Sequence, residues 1–359
     1  MKVGIVGMPN AGKSSLFNAL TRAGAEAANY PFTTIEPNVA IVPVADERLE
    51  RLAAVLRASE VVHDTIAFHD IAGLVRGASE GEGLGNKFLA NIRETDAIVH
   101  VVRAHGDENV VHPEGRVDPR ADIDTIETEL TYADLEQAER RLERVTKAAR
   151  GGDKVARAEQ AWLEELTAAL QEGRPARTVP PPEDAPNALR DLQPLTAKPV
   201  LFVANVDEGS DDVPDEVAAH AAAHGARAVA VSSRIEAELS ELDDEEAAAM
   251  RAELGIAESG LQRVVRGAFA LLDLIAFFTA GEAKPAQSWH LRSGLTAWHA
   301  AGQIHSDIQR GFVRAEVIGW DELVAAGGYA GARERGTLRV EGRDYAMRDG
   351  DVITVKFTP

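Results

Sequence analysis

Short, uninterrupted apolar runs recur through the first 115 residues of the chain and again near residue 200. The runs fall at residues 1–6, 65–69, 97–102 and 199–204, and amphipathic stretches lie between them. Apolar runs of this length, without alternation, are typical of strands that are covered on both faces. The pattern therefore predicts an α/β fold class, with a mostly parallel sheet in the N-terminal domain.

Between residues 128 and 172 the apolar period changes from that of strands to that of helices. Gly151, Gly152 and Asp153 divide the helical run into two stripes. The spacing predicts a helical hairpin with coiled-coil-like packing, and it is an insertion because strand-type sequence resumes after it. The stripes contain apolar residues three or four positions apart: Leu135, Ala138, Leu142, Val145 and Ala149, then Val155, Ala158, Trp162, Leu166 and Ala169.

The same pattern sets the expected domain boundaries. Residues 1–118 and 197–276 form the α/β domain, and residues 119–196 form the helical insertion. The last helix of the α/β domain is expected over residues 261–276. A small module of mixed strands and helices then occupies residues 277–359.

Composition narrows the cellular setting. The chain contains no cysteine, which excludes disulfides and cysteine-based metal sites or nucleophiles. No apolar run approaches the length of about 18 residues that a membrane span needs. The first strand starts at once and leaves no room for a signal peptide, so we expect a cytoplasmic protein with no membrane partner.

Charge argues against DNA as a partner. The formal net charge is −20, which disfavours non-specific binding to nucleic acid. The part after residue 284 is close to neutral and would meet the smallest electrostatic penalty on RNA.

The strongest motif of the chain follows its first strand. Residues Gly7 to Ser14 have the spacing G-x-x-x-x-G-K-S, and an amphipathic helix comes next. Backbone N–H groups in such a loop surround a phosphate, and the positive end of the helix points at it. We expect Lys13 to reach the β and γ oxygens and to act in catalysis, and Ser14 to ligate Mg²⁺. The expected nucleotide-binding residues of this loop are Asn10, Ala11, Gly12, Lys13, Ser14 and Ser15.

Two further motifs would sense the γ-phosphate. Asp70 ends a strand and starts Asp-Ile-Ala-Gly, where Asp70 would hold Mg²⁺ and the Gly73 N–H would bond the phosphate. A threonine in Asn-Tyr-Pro-Phe-Thr-Thr would complete the Mg²⁺ shell only while the γ-phosphate is present, which makes the loop a switch. We favour Thr34 over Thr33, although the spacing leaves both open.

The purine would be read after the strand at 199–204. GTPases have Asn-Lys-x-Asp at this place, and the aspartate accepts hydrogen bonds from guanine. Here Asn205, Val206 and Glu208 stand at the corresponding positions, so the carboxylate is displaced by one methylene and the lysine is missing. An unpaired buried donor costs about 1–3 kcal/mol, enough to remove a preference for guanine and to admit adenine. Ser232 and Ser233 would contact the base as well, and a carboxylate that still reads guanine is left as an alternative.

The residue that usually orients the attacking water is replaced in this chain. Ras-like GTPases have a water-orienting glutamine directly after Asp-x-x-Gly, and here that residue is Leu74. Leucine cannot orient water by hydrogen bonding, so hydrolysis is slow or uses another group. His112, in a loop that could fold over the site, is our candidate, and a solvated histidine is the alternative.

Taken together, these motifs resemble the YchF / Obg-like ATPase family. The resemblance runs through GMPNAGKSSLFNALT, NYPFTTIEPNVAIV, DIAGLVRGASEGEGLGNKFLANIRETDAIVHVVR, ANVDE, SSRIEAEL, AGQIHSDIQRGFVRAEVI and EGRDYAMRDGDVI. It implies a P-loop NTPase domain of Obg type, a coiled-coil domain and a C-terminal TGS domain of β-grasp type. It also implies ATP hydrolysis, often with GTP accepted, and association with ribosomes.

The resemblance also assigns roles to single residues. The family's Asn-x-x-Glu motif falls on Asn205 and Glu208, and its hydrophobic replacement of the catalytic glutamine falls on Leu74. Its loop histidine falls on His112. Asn10 matches the residue with which related GTPases hold a K⁺ ion, so K⁺ activation is a hypothesis beside the Mg²⁺ requirement.

The leading interpretation is thus a nucleotide-dependent switch that binds and hydrolyses ATP and associates with the ribosome. One alternative is a nucleotide-gated ribosome- or RNA-binding module with negligible turnover. Another is a GTPase that prefers GTP.

Overall fold

The computed structural model describes residues 1–26, 38–71, 84–106, 115–256 and 258–358. The chain divides into two compact units. The first unit contains Met1–Val42 and Ala67–Leu271, and the second contains Pro43–Ile66 and Leu272–Pro359.

A six-stranded sheet forms the centre of the first unit, with the strand order β2-β4-β1-β5-β6-β7. β1 lies parallel to β4 and β5, and β5–β6 and β6–β7 are parallel as well. All seven residues of β5 are buried, which explains why its sequence is uniformly apolar around His100. The strands are β1 (Lys2–Val6), β2 (Val39–Pro43), β4 (Thr65–Asp70), β5 (Ala97–Arg103), β6 (Val200–Asn205) and β7 (Arg227–Val231).

Helices connect these strands. The helix α1 follows β1 directly, and α10 ends the first unit. The helices of this unit outside the insertion are α1 (Lys13–Glu26), α3 (Leu84–Arg93), α7 (Asp215–Ala223), α8 (Ser233–Leu239), α9 (Asp244–Glu253) and α10 (Gly260–Leu271). Strands alternating with helices around a parallel sheet confirm the predicted α/β class.

The predicted helical hairpin is present as α4 (Pro119–Arg150) and α5 (Lys154–Gln171). α4 begins earlier than the periodicity suggested, because the Asp118 side chain accepts a hydrogen bond from the Ala121 N–H and caps the helix. Asp153 caps α5 in the same way through Val155 and Ala156. Nine of the ten stripe residues lie in or against one core that contains Trp162, whose ring N–H donates to the Val179 carbonyl, whereas Val155 is exposed. Two 3₁₀ turns (Ala176–Thr178, Leu195–Ala197) and α6 (Ala188–Leu192) lead back to the sheet.

A second six-stranded sheet belongs to the second unit, in the order β11-β10-β12-β8-β9-β3. Its strands are β3 (Val61–Val62), β8 (Leu274–Thr279), β9 (Ala286–Arg292), β10 (Phe312–Gly319), β11 (Arg339–Glu341) and β12 (Asp351–Phe357). Its helices are α2 (Glu47–Leu56), α11 (Ala297–Ile304), α12 (Ser306–Arg310), α13 (Trp320–Ala325) and α14 (Tyr329–Glu334). The separate C-terminal module of strands and helices is thus confirmed.

The helix expected over 261–276 is wrong in its last turn. α10 ends at Leu271, and Asp273 adopts a left-handed conformation that turns the chain. β8 then starts at Leu274 and pairs with β9, which buries Phe277 and Phe278 completely. Tertiary pairing of β-branched and aromatic residues overrides helical periodicity here.

Residues 43–66 lie in the compact unit that holds the C-terminal sheet. β3 pairs with β9, and the backbone N–H of Asp64 donates to the Ser288 hydroxyl. The Asp64 carboxylate in turn accepts from the His290 N–H. Among the described residues, no helix is both long and apolar enough to cross a membrane.

Candidate functional site

The loop between β1 and α1 has a backbone that only a few residue types allow. Gly7 and Gly12 have φ values of 153° and 101°, and Asn10 lies in the left-handed region at 64°. A Cβ atom on Gly7 would stand 2.3 Å from the Val101 carbonyl oxygen. The glycines are therefore needed to curl the loop against β5, and α1 begins directly after them at Lys13.

Lys13 is buried under this loop. Its side chain is 7% exposed, and Nζ donates to the carbonyl oxygen of Met8 over 2.8 Å. Burial lowers the pKa of Lys13, while the negative charge of Asp70 acts in the opposite direction. Burial likewise raises the pKa of Asp70, and the charge of Lys13 opposes that shift. A bound anion would relieve the desolvation of the ammonium group, which is what the phosphate hypothesis requires.

Asp70 lies at the edge of the sheet where this loop begins. It ends β4, and its neighbour across the ladder is Ile5 of β1. Parallel strands that end together bring their following side chains to one edge, so Asp70 and Ser14 offer oxygen atoms on the same side of the unit. Oxygen donors of this kind suit Mg²⁺.

Asn205 joins two loops that are distant in sequence. Its Nδ2 donates to the Ala11 carbonyl over 3.1 Å, and its Oδ1 accepts from the Ser233 backbone N–H over 3.0 Å. Asn205 is 5% exposed, so both contacts are protected from water. From the sequence we expected Asn205 to contact the purine base. The sequence did not reveal that Asn205 also links the loop at Gly7–Ser14 to the loop at Ser232 and Ser233.

A cavity of about 930 Å³ opens over these loops. It is lined by almost all the described residues that the sequence predicted for nucleotide binding, together with residues it did not single out. The predicted ones are Asn10, Gly12, Lys13, Ser14, Ser15, Asn205, Val206, Glu208, Ser232 and Ser233. The added ones are His105, Gly106, Asp207, Arg234, Ala237, Glu238 and Glu241. Ala11, also predicted, is buried and contributes its carbonyl to Asn205.

The carboxylate expected to read the purine is engaged by a neighbour. The Arg234 side chain approaches a Glu208 oxygen to 3.2 Å and a Glu238 oxygen to 3.3 Å. Arg234 and Glu238 are one helical turn apart on α8, which brings both onto the face that lines the cavity. The four-residue spacing of Arg234 and Glu238, directly after Ser232-Ser233, was the sequence signal that could have predicted both as cavity residues.

Several predicted residues lie outside the described part of the chain. They are Thr33, Thr34, Gly73, Leu74 and His112. The described residues bring the loop at Gly7–Ser14 and the loops at Asn205 and Ser232 to one cavity, and Asp70 lies near enough to Lys13 for their charges to interact.

Two family models match the chain. The MMR_HSR1 model, described as "50S ribosome-binding GTPase", matches residues 2–141. The YchF-GTPase_C model, described as "Protein of unknown function (DUF933)", matches residues 274–358.

Curated relatives resemble the chain along its full length. A protein of Haemophilus influenzae named "Ribosome-binding ATPase YchF" is 50% identical over 359 residues, covering 99% of each chain. A Bacillus subtilis protein of the same name is 47% identical over 365 residues, again covering 99% of each.

Two solved structures resemble the chain over nearly its full length. The structure of the Schizosaccharomyces pombe YchF GTPase superposes with a TM-score of 0.88 at 34% identity, covering 99% of this chain and 97% of that one. A GTP binding protein from Pyrococcus horikoshii has a TM-score of 0.64 at 20% identity and full coverage of both chains, which shows a shared fold.

Proposed function

Because this chain belongs to the YchF family, we propose that it is a nucleotide-dependent switch that binds and hydrolyses ATP and associates with the ribosome. One observation carries the proposal: a single cavity of about 930 Å³ is lined by both the phosphate loop and the base-reading loops. That volume suits a nucleoside triphosphate. Relatives named "Ribosome-binding ATPase YchF" suggest the ribosome as partner and ATP as substrate.

Binding of the triphosphate rests on Lys13 and the loop around it. The ammonium group is buried, and it donates a hydrogen bond to the Met8 carbonyl. We propose that Lys13 turns from this carbonyl to the β and γ oxygens, while the loop N–H groups and the start of α1 bind the same phosphates. Mg²⁺ would be held by Ser14, Asp70 and Thr34, and when bound it would neutralise charge on the phosphate oxygens.

Hydrolysis is proposed to be an in-line attack of water on the γ-phosphorus, which breaks its bond to the bridging oxygen of the β-phosphate and releases ADP and inorganic phosphate. Lys13 and backbone donors, including the Gly73 N–H, would stabilise the charge that develops on the phosphate oxygens. His112 would position the water in place of the usual glutamine. Leu74 keeps the alternative of a module with negligible turnover open, and turnover with and without ribosomes separates the two.

Preference for ATP follows from the surroundings of Glu208. Guanine recognition needs a carboxylate free to accept two hydrogen bonds, whereas Glu208 faces the Arg234 guanidinium at 3.2 Å. Both side chains are more than half exposed, so the pair itself contributes about 0–1 kcal/mol. A carboxylate paired with a guanidinium has fewer lone pairs free for guanine, so we propose that Arg234 lowers the preference for GTP. GTP is proposed as an accepted second nucleotide.

Asn10 is the proposed K⁺ residue. Its left-handed backbone places it at the turn of the phosphate loop, and it lines the cavity beside Gly12. Equal turnover in K⁺ and Na⁺ buffers would remove this part of the proposal.

For the domains, we propose an NTPase domain within residues 1–118 and 197–271, a coiled-coil insertion at 119–196 and a TGS domain from residue 272, where the second compact unit resumes. The described structure adds residues 43–66 to the C-terminal unit. We propose that the chain contacts ribosomal RNA or ribosomal proteins, and cross-linking to ribosomes would identify which of the two it contacts.

The decisive experiment is a titration of the full chain with fluorescent ATP and GTP analogues, for the wild type and Glu208→Asp. We expect the wild type to bind ATP, and the shorter carboxylate to raise the GTP-to-ATP affinity ratio by about tenfold, which corresponds to one guanine hydrogen bond. Glu241→Asp is the matched control, because Glu241 lines the same cavity but pairs with Arg22, and it should leave the ratio unchanged. Tight GTP binding with negligible ATP binding by the wild type would overturn the substrate assignment.

A further inference from the structure

A second cluster of chemistry-bearing side chains lies away from the nucleotide cavity. Glu127 on α4 and His220 and His224 at the end of α7 each offer one ligand atom, and these atoms all lie within 4.8 Å of one another. The three residues line a separate cavity of about 330 Å³. α7 runs back from the end of β6 to the start of β7, which is parallel to β6. The cluster is therefore near the amino ends of these strands, whereas the phosphate loop follows the carboxyl end of β1.

We propose that Glu127, His220 and His224 form a binding site for a divalent transition metal of the Zn²⁺ class. Two imidazoles and one carboxylate, with further positions open to solvent, are a ligand set that Zn²⁺ accepts. His220 lies in the last turn of α7 and His224 is the C-cap residue four positions later, a spacing that brings both side chains to the same side. The carboxylate comes from a different element, so a metal would link the inserted hairpin to α7.

The hydrogen bonds of His224 prepare it as a ligand. Its Nδ1 lies 2.8 Å from the His220 carbonyl oxygen, which can only accept, so Nδ1 carries the proton. The other ring nitrogen, Nε2, is then left with a free lone pair. Metal-binding histidines are usually fixed by a backbone carbonyl in this way.

The distances between the remaining ligands also fit. His220 Nε2 and a Glu127 oxygen are 3.2 Å apart, close to the separation of two ligand atoms on one tetrahedral ion. The His220 and His224 ring centroids are 4.1 Å apart with a tilt of 30°. A small rotation of the half-buried His224 ring would bring its Nε2 to the same ion.

Among the described residues, a neighbouring histidine leaves one buried ring nitrogen at this cavity without a hydrogen bond. His100 lines it and is 2% exposed, and its Nε2 has no hydrogen-bond partner in the described part of the chain. A water bound to the metal would offer such a partner.

Two arginines compete with a metal for its proposed ligands, so the proposal also predicts what happens when one of them is removed. Arg120 Nη1 lies 2.5 Å from His220 Nδ1, and the same guanidinium contacts Asp124 at 2.9 Å. While Arg120 donates to Nδ1, the His220 proton sits on Nε2, the atom that faces Glu127. Metal binding through Nε2 therefore requires Arg120 to withdraw to Asp124. Arg177 lies 4.0 Å from Glu127 and is already bonded to the Thr196 carbonyl.

The test uses Co²⁺ as the probe, with the full-length untagged protein, stripped of metal, in excess Mg²⁺ to saturate oxygen-rich sites. Co²⁺ bound by nitrogen ligands in four- or five-coordinate geometry absorbs strongly in the visible range, and Co²⁺ bound octahedrally by oxygens absorbs weakly. We expect the strong band in the wild type, its displacement by Zn²⁺, and at least tenfold weaker binding in His224→Gln and Glu127→Gln. His305→Gln removes an exposed histidine elsewhere and should leave the titration unchanged.

A second variant tests the coordination through His220. Arg120→Ala removes the competing donor, so Co²⁺ should bind more tightly than to the wild type. Circular dichroism and thermal unfolding establish that each variant is folded, and Zn²⁺ should raise the melting temperature of the wild type but not of His224→Gln. An absent strong band in the wild type, an unchanged titration of His224→Gln, or equal or weaker binding by Arg120→Ala would overturn the proposal.

Discussion

The side chain of Asn205 donates a hydrogen bond to the carbonyl oxygen of Ala11, although 194 positions separate the two residues in sequence. The same amide accepts from the Ser233 N–H. One buried side chain thus sets the distance between the loop that binds phosphate and the loop proposed to contact the base. The length of the cavity depends on it.

Replacing Asn205 should therefore weaken nucleotide binding and stability together. Asn205→Ala leaves the Ser233 N–H and the Ala11 carbonyl without this partner, which should lower the unfolding free energy by about 1–3 kcal/mol. Asn205→Asp keeps the acceptor for Ser233 but places a carboxylate oxygen against the Ala11 carbonyl oxygen, so its ATP affinity should fall at least as far as that of Asn205→Ala. Urea unfolding and fluorescent ATP titration measure the two effects. Wild-type ATP affinity in a folded Asn205→Ala would contradict the spacing role.

Gly12 should not tolerate a side chain. Its φ is 101°, and a Cβ atom would stand 2.2 Å from Asn205 Nδ2. Gly12→Ala must displace this amide or open the loop, and we expect loss of ATP binding by at least tenfold. Gly209 also has a positive φ, but nothing lies within 4 Å of its Cβ position. Gly209→Ala is the control for backbone strain alone, and if both variants bound ATP equally weakly, the steric explanation would fail.

Arg234 should influence the choice of purine through Glu208. Arg234→Ala frees the Glu208 carboxylate, so the GTP-to-ATP affinity ratio should rise, with little change in stability because the pair is exposed. Competition between unlabelled ATP and GTP for one fluorescent nucleotide measures the ratio. The control is Arg266→Ala. Arg266 lies on α10, is similarly exposed and is paired with Glu258. A ratio that falls or does not move would show that Arg234 does not restrain the carboxylate.

Acid should destabilise the protein partly through His100. Burial lowers the pKa of His100 from 6.5 to about 3. The unfolded chain therefore takes up the proton first, so this contribution to stability is complete above pH 6.5 and is lost as the pH falls toward 3. His100→Phe removes the group, and relative to its own value at neutral pH it should lose about 2 kcal/mol less than the wild type at about pH 5. Urea unfolding at the two pH values checks this, with His305→Gln as the control. Identical pH dependence in wild type and His100→Phe would rule out His100 as the source.

Local signals account for the parts of the fold that could be foreseen. Uniform apolar runs identified β5 and β6, and the Gly151-Gly152-Asp153 break identified the hairpin turn. The last turn of the helix expected over 261–276 failed, because pairing with β9 is a long-range interaction that helical periodicity does not reveal.

The site shows the same division. The glycines and Lys13 follow from a local motif, and Gly12 and Lys13 line the cavity. The contact of Asn205 with Ala11 and the approach of Arg234 to Glu208 depend on how three loops meet in space. Spacing along the chain carries no such information, and the Glu127–His220–His224 cluster escaped for the same reason.

The grouping of residues 43–66 with the C-terminal sheet has a consequence for synthesis and for truncation. Asp64 reaches its partner Ser288 only after 224 further positions have been translated. Until then, α2 has no surface on which to cover Leu49 and Leu52, both fully buried in the finished protein. A chain shortened at residue 271 would leave the apolar face of α2 permanently exposed to solvent, and we expect it to aggregate.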